Sequence, residues 1–326
     1  MVSILCITYN HAKFIEDAIK GFLIQERNFD LEIIIGDDAS SDGTIEILKH
    51  YKNSYPSLFN ITLNEVNIGM MKNLYQNITK CKGKYIAICE GDDYWIDSHK
   101  LQKQINFLEA NPDYSICFHR VSILEPNGTN KIENLNSSVY PLTYTIEQLA
   151  KGNFMHTPSV VFRNHFELPS WFIDASVGDY VLHMLNAMNG KIYYLPDVMA
   201  VYRKHQGGVW SMKSDLWRLE KWISMLELLL CNCDFSGVVK ENLINQYANY
   251  CFEISMLYLK NDNNQLFFDY ANRAINADKT VFLKYCNELI SQNSKINILK
   301  KAATYEVQLF FKNGLKKVYK LFKKIE

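Results

Sequence analysis

Apolar runs that stop at polar clusters, with helix-spaced segments between them, repeat along the first half of this chain, and that alternation leaves few folds open. Residues 2–8 read as a buried strand, and Phe14, Ala18 and Phe22 recur behind it at helical spacing. Residues 31–36 form a second strand, Ile45 and Leu48 open a helix, and residues 61–63 form a short strand. A helix runs through Leu74 and Ile78, and residues 84–89 form a fourth strand. Strands alternating with helices predict an α/β fold with a mainly parallel central sheet and helices on both faces. Such sheets bind ligands beyond the carboxyl ends of their strands. Those ends are Thr8-Tyr9-Asn10, Asp37-Asp38 and Glu90-Gly91-Asp92-Asp93; all are polar, and two carry paired acids.

The pattern continues with a helix from Asp97, as N-cap, to about Ala110, stopped by Asn111-Pro112. Strands are expected near 115–124 and 159–163, an irregular stretch over 125–156, a helix from Gly178-Asp179, and two strands at 191–195 and 198–203. Beyond Trp210 only helices are predicted: one carrying Trp217, Leu219, Trp222, Met225, Leu226 and Leu229, then a pair over 247–259 and 266–275. This divides the chain into an α/β domain, 1–212, and a helical C-terminal domain, 213–326. A length of 326 residues suits one large domain or two smaller ones and suffices to bury a core without metal or disulfide staples.

Charge and composition exclude several classes. Lys+Arg and Asp+Glu both number 35, so a whole-chain electrostatic grip on nucleic acid is not expected. No apolar run approaches the roughly 18 residues that span a bilayer, and no basic segment precedes the apolar start as a signal peptide would require. Eight cysteines without a C-x-x-C read as reduced, mostly buried thiols; Cys231-x-Cys233 has no second Cys or His pair nearby to complete a metal site. G-x-G-x-x-G, the P-loop and H-E-x-x-H are absent, and the loop from Asp38 has Lys49 where a calcium loop needs Glu.

The strand-end acids carry the chemistry. Adjacent carboxylates such as Asp92-Asp93 repel unless a cation is present, and divalent ions commonly bridge carboxylates to a substrate's phosphates. Turn acids at a helix start are the plain alternative. Asp38 offers an acceptor for an imide N–H such as N3 of uracil, or simple turn chemistry; Thr8 and Tyr9 are placed to frame a flat base. Asp179 is either a base or a helix N-cap after Gly178. His11, His119, His156, His165 and His183 receive no role. Trp95 and Trp210 either line a sugar site or pack, and Gly207-Gly208 suits a lid or a plain turn.

Together these segments resemble family 2 glycosyltransferases. Residues 2–10 look like that family's opening strand, and Ile35-Gly-Asp-Asp-Ala-Ser-Ser-Asp-Gly-Thr44 is similar to its second-strand motif. Asn67-Ile-Gly69 with Asn73 resembles the next segment. Residues 82–95 look like the metal-binding aspartate motif, Gly178-Asp179 the segment of the catalytic base, and residues 201–211 the loop closing the domain. The resemblance spans about residues 1–211. It implies a GT-A fold, a nucleotide-sugar donor, most simply UDP-linked, a divalent metal (Mn2+ or Mg2+) and inversion at the anomeric carbon. By matching position, Asp38 would bind the nucleobase, Asp92 the donor ribose or metal, and Asp93 the metal, while Asp179 would be the general base. His205 matches a position near the metal or diphosphate in some relatives. Glu-Gly-Asp-Asp stands where D-x-D is often drawn, leaving the metal contact to Asp93.

The acceptor implied is a hydroxyl on a glycan or lipid-linked glycan, in surface polysaccharide assembly at the cytoplasmic face of the membrane. Residues 295–326 carry nine Lys and two Glu, a net +7, which leaves −7 on residues 1–294. Within this tail Phe311, Leu315, Val318, Phe322 and Ile325 form an apolar stripe among lysines. It reads as a basic amphipathic helix over 307–326 that contacts an anionic membrane peripherally, or one docked on its own domain. Two other readings stand beside transfer. A sugar nucleotidyltransferase would usually show a Gly-rich, Arg-containing first loop, where this chain has Thr8-Tyr9-Asn10-His11. The other is an inactive scaffold acting through residues 213–326.

Overall fold

The computed structural model describes residues 1–132, 142–210, 213–261 and 263–281. The chain divides into two compact units, Met1–Met212 and Lys213–Glu326.

The first unit is built on one mixed sheet. Its strands are β1 (Val2–Thr8), β2 (Leu31–Asp37), β3 (Phe59–Leu63), β4 (Tyr85–Ile88), β5 (Tyr94–Trp95), β6 (Tyr114–Leu124), β7 (Asn130–Ile132), β8 (Thr143–Tyr144), β9 (Val161–Arg163) and β10 (Lys191–Arg203). The order along the sheet is β3-β2-β1-β4-β9-β6-β10-β5, with β7 added to β6 and β8 to β10. β3, β2, β1 and β4 run parallel, as do β6 and β10; β9 lies antiparallel between β4 and β6. All seven residues of β1 are buried, as expected of a central parallel strand covered on both faces. Helices α1 (Ile15–Leu23), α2 (Thr44–Ser54), α3 (Met70–Ile78), α4 (Lys100–Ala110), α5 (Ile146–Leu149) and α6 (Gly178–Ala187) complete the unit. Ile4, Ile19, Phe22, Ile33, Ile35 and Leu101 are fully buried in its core, each contributing roughly 1.5–3 kcal/mol through apolar burial.

Several local expectations are revised. Residues 191–195 and 198–203 belong to one strand, with register shifts flanking Pro196 and Asp197; proline cannot donate to a ladder and is accommodated at such irregularities. α4 begins at Lys100 after His99, and Asp97 instead accepts the His99 N–H at 2.7 Å. The stretch expected to be irregular holds β7, β8 and α5, the last opened by a Thr145/Gln148 capping box. Trp95 packs: its indole N–H donates to Pro158 O at 2.9 Å, and its ring meets Phe22 edge-on.

Over that ring, at 4.1 Å, sits the fully buried Lys100 ammonium, which donates to Gln104 Oε1 at 2.8 Å. Burial pulls Lys100 down to about 7 from an ordinary 10.5, only partly opposed by Cys89, Cys117 and Asp97. Between about pH 7 and about pH 9 the unfolded chain therefore holds a proton that the folded protein sheds. At this group the unfolded state binds more protons, so its contribution to stability rises with pH, by roughly 2 kcal/mol over that window. The buried thiols work in the opposite sense in both proteins, so urea denaturation should show the wild type gaining about 2 kcal/mol relative to Lys100→Met between about pH 7 and about pH 9; equal slopes in both would contradict it.

The second unit consists, among the described residues, of α7 (Asp215–Asn232), α8 (Gly237–Lys260) and α9 (Asn264–Ala277). Ser214 caps α7 by accepting from Trp217 N, and Asn263 caps α9 by accepting from Leu266 N. Ile223, Phe252, Ile254, Phe267, Ala271 and Ala274 form its core. α8 starts ten residues earlier than the expected 247. Cys6, Cys81, Cys89, Cys117 and Cys251 are buried free thiols, whereas Cys231 is exposed. No helix among the described residues is long and apolar enough to cross a membrane. The basic segment 307–326 lies outside the described residues.

Candidate active site

Register alone brings the acidic strand ends together. Thr8 pairs with Asp37 across β1 and β2, and Asp38 N–H donates to Thr8 O at 3.0 Å. On the other side of β1 the chain leaving β4 stays bonded to it: Cys89 N–H reaches Leu5 O at 3.1 Å and Gly91 N–H reaches Ile7 O at 3.0 Å. A Cβ on Gly91 would lie 2.7 Å from Thr8 Oγ1, so glycine lets the 90–93 turn press onto β1. The turn closes through Asp93 N–H to Glu90 O at 3.1 Å, and it carries Glu90, Asp92 and Asp93.

The end of β10 clamps this turn. Arg203 N–H donates to Asp93 Oδ1 at 2.7 Å, and its guanidinium donates to Asp92 O at 2.8 Å and to Asp17 Oδ2 at 2.9 Å. The same guanidinium stands over the Phe14 and Tyr94 rings, at 4.7 and 4.8 Å. Two residues on, His205 Nε2 lies 2.9 Å from Asp92 Oδ2. Gly208 N–H donates back to His205 O at 3.0 Å, so the Gly207-Gly208 segment forms a turn.

Three carboxylates are thereby packed into one pocket of charge. Ligand oxygens of Glu90, Asp92 and Asp93 lie within 4.8 Å of one another. Asp93 is 1% exposed, and its Oδ2 is buried with no hydrogen-bond partner. Burial, then Asp92 and Glu90, push the Asp93 carboxyl far up, against the pull of the Arg203 N–H. Glu90 is raised as well, by burial first and then by the charges of Asp92 and Asp179. Asp92 is held below its ordinary value although burial works against it, because the hydrogen bond to His205 and the charges of His11 and His205 prevail. A buried carboxylate with one unpartnered oxygen, packed beside two other carboxylates, is a donor set that suits a hard divalent cation.

The other predicted residues are placed unevenly. Asp38 is 3% exposed and accepts Ile68 N–H at 2.8 Å, Gly69 N–H at 2.9 Å and Asn64 Nδ2 at 3.1 Å. It clamps the turn into α3, and of a carboxylate's roughly four acceptor positions one is left for a ligand. Asp37, buried beside it, is occupied by the Ser40 N–H and hydroxyl. Tyr9 is 47% exposed at the strand end, open to a planar ligand. Thr8 differs from expectation: it is 3% exposed behind Gly91, so it backs the site without presenting its hydroxyl.

Asp179 is the second residue of α6, whose N-cap is Val177, so it is not the ordinary N-cap weighed above. Asn153 Nδ2 donates to its Oδ2 at 3.2 Å and Tyr180 N–H to its Oδ1 at 2.8 Å. Its charge is felt by Glu90 and by Tyr202, which places it within electrostatic reach of the acid turn although it comes from a separate segment.

Sequence reasoning passed over three residues of this assembly. His11, left without a role, has Nε2 3.9 Å from Asp92 Oδ2. Glu90 stands at a predicted strand end, but its type and spacing assign it no role in the site. Arg203 gave no sign, because its function lies in its position at the end of an irregular strand.

A sequence model described as Glycosyl transferase family 2 matches residues 3–167. The uncharacterized protein Rv1520 of Mycobacterium tuberculosis is 39% identical over 216 residues, 64% of this chain and 60% of that protein; this chain thus spans less than two thirds of its relative. Among solved structures, S. aureus TarS 1-349 in complex with UDP-GlcNAc superposes with a TM-score of 0.62 at 17% identity, covering 85% of this chain and 81% of that one. The mannosyltransferase PcManGT from Pyrobaculum calidifontis, in complex with GDP-Man and Mn2+, gives 0.59 at 15% identity over 96% of this chain and 84% of its own. At these identities the structures bear on the fold alone.

Proposed function

The chain belongs to glycosyl transferase family 2, and from that premise we propose that it is an inverting, metal-dependent glycosyltransferase. It takes a sugar from a nucleoside-diphosphate donor, UDP-linked in the first instance, and passes it to a hydroxyl of a glycan or lipid-linked acceptor in surface polysaccharide assembly. The observation that carries this reading is Asp93 Oδ2, buried and unpartnered beside Asp92 and Glu90 at the carboxyl edge of the sheet.

Asp93, Asp92 and Glu90 would hold a divalent cation, Mn2+ or Mg2+, with His205 at its margin. When bound, such an ion neutralises charge on the departing diphosphate. The chain supplies the rest. Tyr9 offers a face to the base, with Thr8 behind it, and Asp38 keeps one acceptor position for an imide N–H. Arg203 fixes the acid turn through backbone and side chain. Asp179 takes the proton from the acceptor hydroxyl, with its carboxylate oriented by Asn153. The family match and the retained acids support transfer over the nucleotidyltransferase and scaffold alternatives. TarS is solved with UDP-GlcNAc and PcManGT with GDP-Man and Mn2+; the likeness shows the fold, and a donor and cation of those classes come to this chain as part of the proposal.

Release of nucleoside diphosphate from UDP-, GDP-, CDP- and dTDP-sugars, followed with Mn2+ and then with excess EDTA, tests the reading. One donor should be consumed with Mn2+ and spared with EDTA; consumption that EDTA leaves unchanged would refute the metal role. The proposal extends to a cytoplasmic setting with peripheral membrane contact through residues 307–326. Deleting that segment should weaken co-sedimentation with anionic liposomes, and unchanged sedimentation would remove this part of it.

A further inference from the structure

The acid turn and Asp179 come from separate segments, and an acceptor hydroxyl has to stand between them for transfer to occur. The segment 153–159 serves Asp179 at one end and carries an aromatic ring near its middle. Asn153 Nδ2 donates to Asp179 Oδ2 at 3.2 Å while its Oδ1 accepts Met155 N–H at 3.0 Å, so the amide is held from both ends. Further along, the His156 carbonyl accepts the Ser159 N–H at 2.9 Å and the Ser159 hydroxyl at 2.7 Å. Ser159 O in turn accepts from Gln104 Nε2 at 2.9 Å, which ties the segment to α4.

The His156 ring lies against Tyr202, with centroids 4.8 Å apart and planes inclined by 36°. Tyr202 precedes Arg203 on β10, and successive strand side chains point to opposite faces. Arg203 sends its guanidinium to Asp17, so Tyr202 stands on the other face, with His156. Both rings are half-buried, which leaves part of each open. Burial first, then the charges of Asp93, Glu90, Asp92 and Asp179, push the Tyr202 phenol up. Tyr202 is thus within electrostatic reach of the donor-side acids and of the base together.

We infer that Tyr202 and His156 form the wall of an acceptor subsite that takes a neutral pyranose, packing the C–H face of the sugar against the rings and turning a hydroxyl toward Asp179. Ligand sites are lined by aromatic side chains with a few placed polar groups, and a pyranose offers an apolar face and hydroxyls to match both. The surrounding carboxylates disfavour a uronate or phosphate on this sugar, because like charges repel in a half-buried site. The cations nearby in sequence are already engaged, Arg203 by Asp17 and Lys204 by Glu125. This inference rests on the proposed transferase reading and deepens its acceptor side. Attack by water on the donor needs no acceptor sugar, so failure of the reading and failure of the inference are separately visible.

The full chain, with Mn2+ and the nucleotide-sugar it consumes, is offered p-nitrophenyl glucoside, galactoside, mannoside and N-acetylglucosaminide, beside the glucuronide and galacturonide as anionic probes. Donor lost to water and sugar passed to the glycoside are measured in one reaction. At least one neutral glycoside should be glycosylated, and each uronide at least about tenfold less efficiently than the best of them. Tyr202→Leu and His156→Leu keep apolar bulk and remove the ring. Each should lower the share of consumed donor that reaches the glycoside by at least about tenfold, through the KM for the glycoside and not for the donor. Tyr202→Phe, which keeps the ring, should hold that share within about twofold of the wild type. A structural role alone would lower attack by water and by sugar together and leave the share unchanged. An unchanged share in a folded Tyr202→Leu chain would overturn the inference. So would transfer to a uronide equal to that to the neutral glycosides, or donor hydrolysis by the wild type with transfer to no glycoside. Consumption of no nucleotide-sugar at all would remove the transferase reading, and this inference with it.

Discussion

Asp93→Asn is expected to lower sugar transfer by roughly a thousandfold at saturating Mn2+, the scale set by losing several kcal/mol of charge stabilisation. The substitution is nearly isosteric, and its retained carbonyl oxygen can still accept the Arg203 N–H that Asp93 Oδ1 now takes at 2.7 Å. What disappears is the charge on Oδ2, the atom left buried and unpartnered. The same change should leave the metal-free protein at least as stable as the wild type, because Glu90, Asp92 and Asp93 crowd like charges within one turn. Thermal melts would therefore show Mn2+ with nucleoside diphosphate raising the melting temperature of the wild type but not of the variant. A variant that loses activity by unfolding, or that retains the Mn2+-dependent shift, would show that Asp93 is structural.

The second large effect is at Asp179. Asp179→Asn is expected to reduce transfer by between about a hundredfold and about ten-thousandfold, the range for loss of a positioned base. Affinity for the nucleotide donor should stay within about twofold. The separation follows from architecture: Asp179 belongs to α6 and is oriented by Asn153, whereas the donor-side acids belong to the turn after β4 and are clamped by Arg203. Calorimetry with donor and a turnover assay on the same preparation decide it. Full activity in this variant would refute the base assignment, and parallel loss of donor affinity would move Asp179 to the binding side of the site.

The acids that carry these predictions were legible because each is a local event. An apolar run followed by adjacent carboxylates marks a strand end in one sequence window, as at Asp37-Asp38 and Asp92-Asp93. The parallel core from β3 to β4 was readable for the same reason. The partners of those acids were not. His11 lies 81 residues before Asp92, and the pairing of β4 with β1, continued by the bonds of residues 89–91, brings the two together. Arg203 depends on register shifts along β10 that carry it past Pro196 to the acid turn. Trp95, weighed as a sugar-site wall, is instead turned inward by a two-residue strand paired with β10, too short to leave a periodic signal. Asp38 showed its type but not its occupancy, since the three donors that take most of its acceptor positions come from residues 64–69.

Turnover depends on an acceptor as well as a donor; binding of the leaving nucleotide does not, and it bears most directly on the proposed site. The deciding measurement is calorimetric titration of the full chain with UDP, GDP, CDP and dTDP, each with Mn2+ and then with excess EDTA, beside Asp93→Asn. The account predicts that one diphosphate, UDP first, binds the wild type with Mn2+, that EDTA abolishes the heat, and that the variant shows little of it. Binding indifferent to EDTA and to Asp93, or no binding of any diphosphate by a folded wild-type chain, would contradict the metal-dependent transferase.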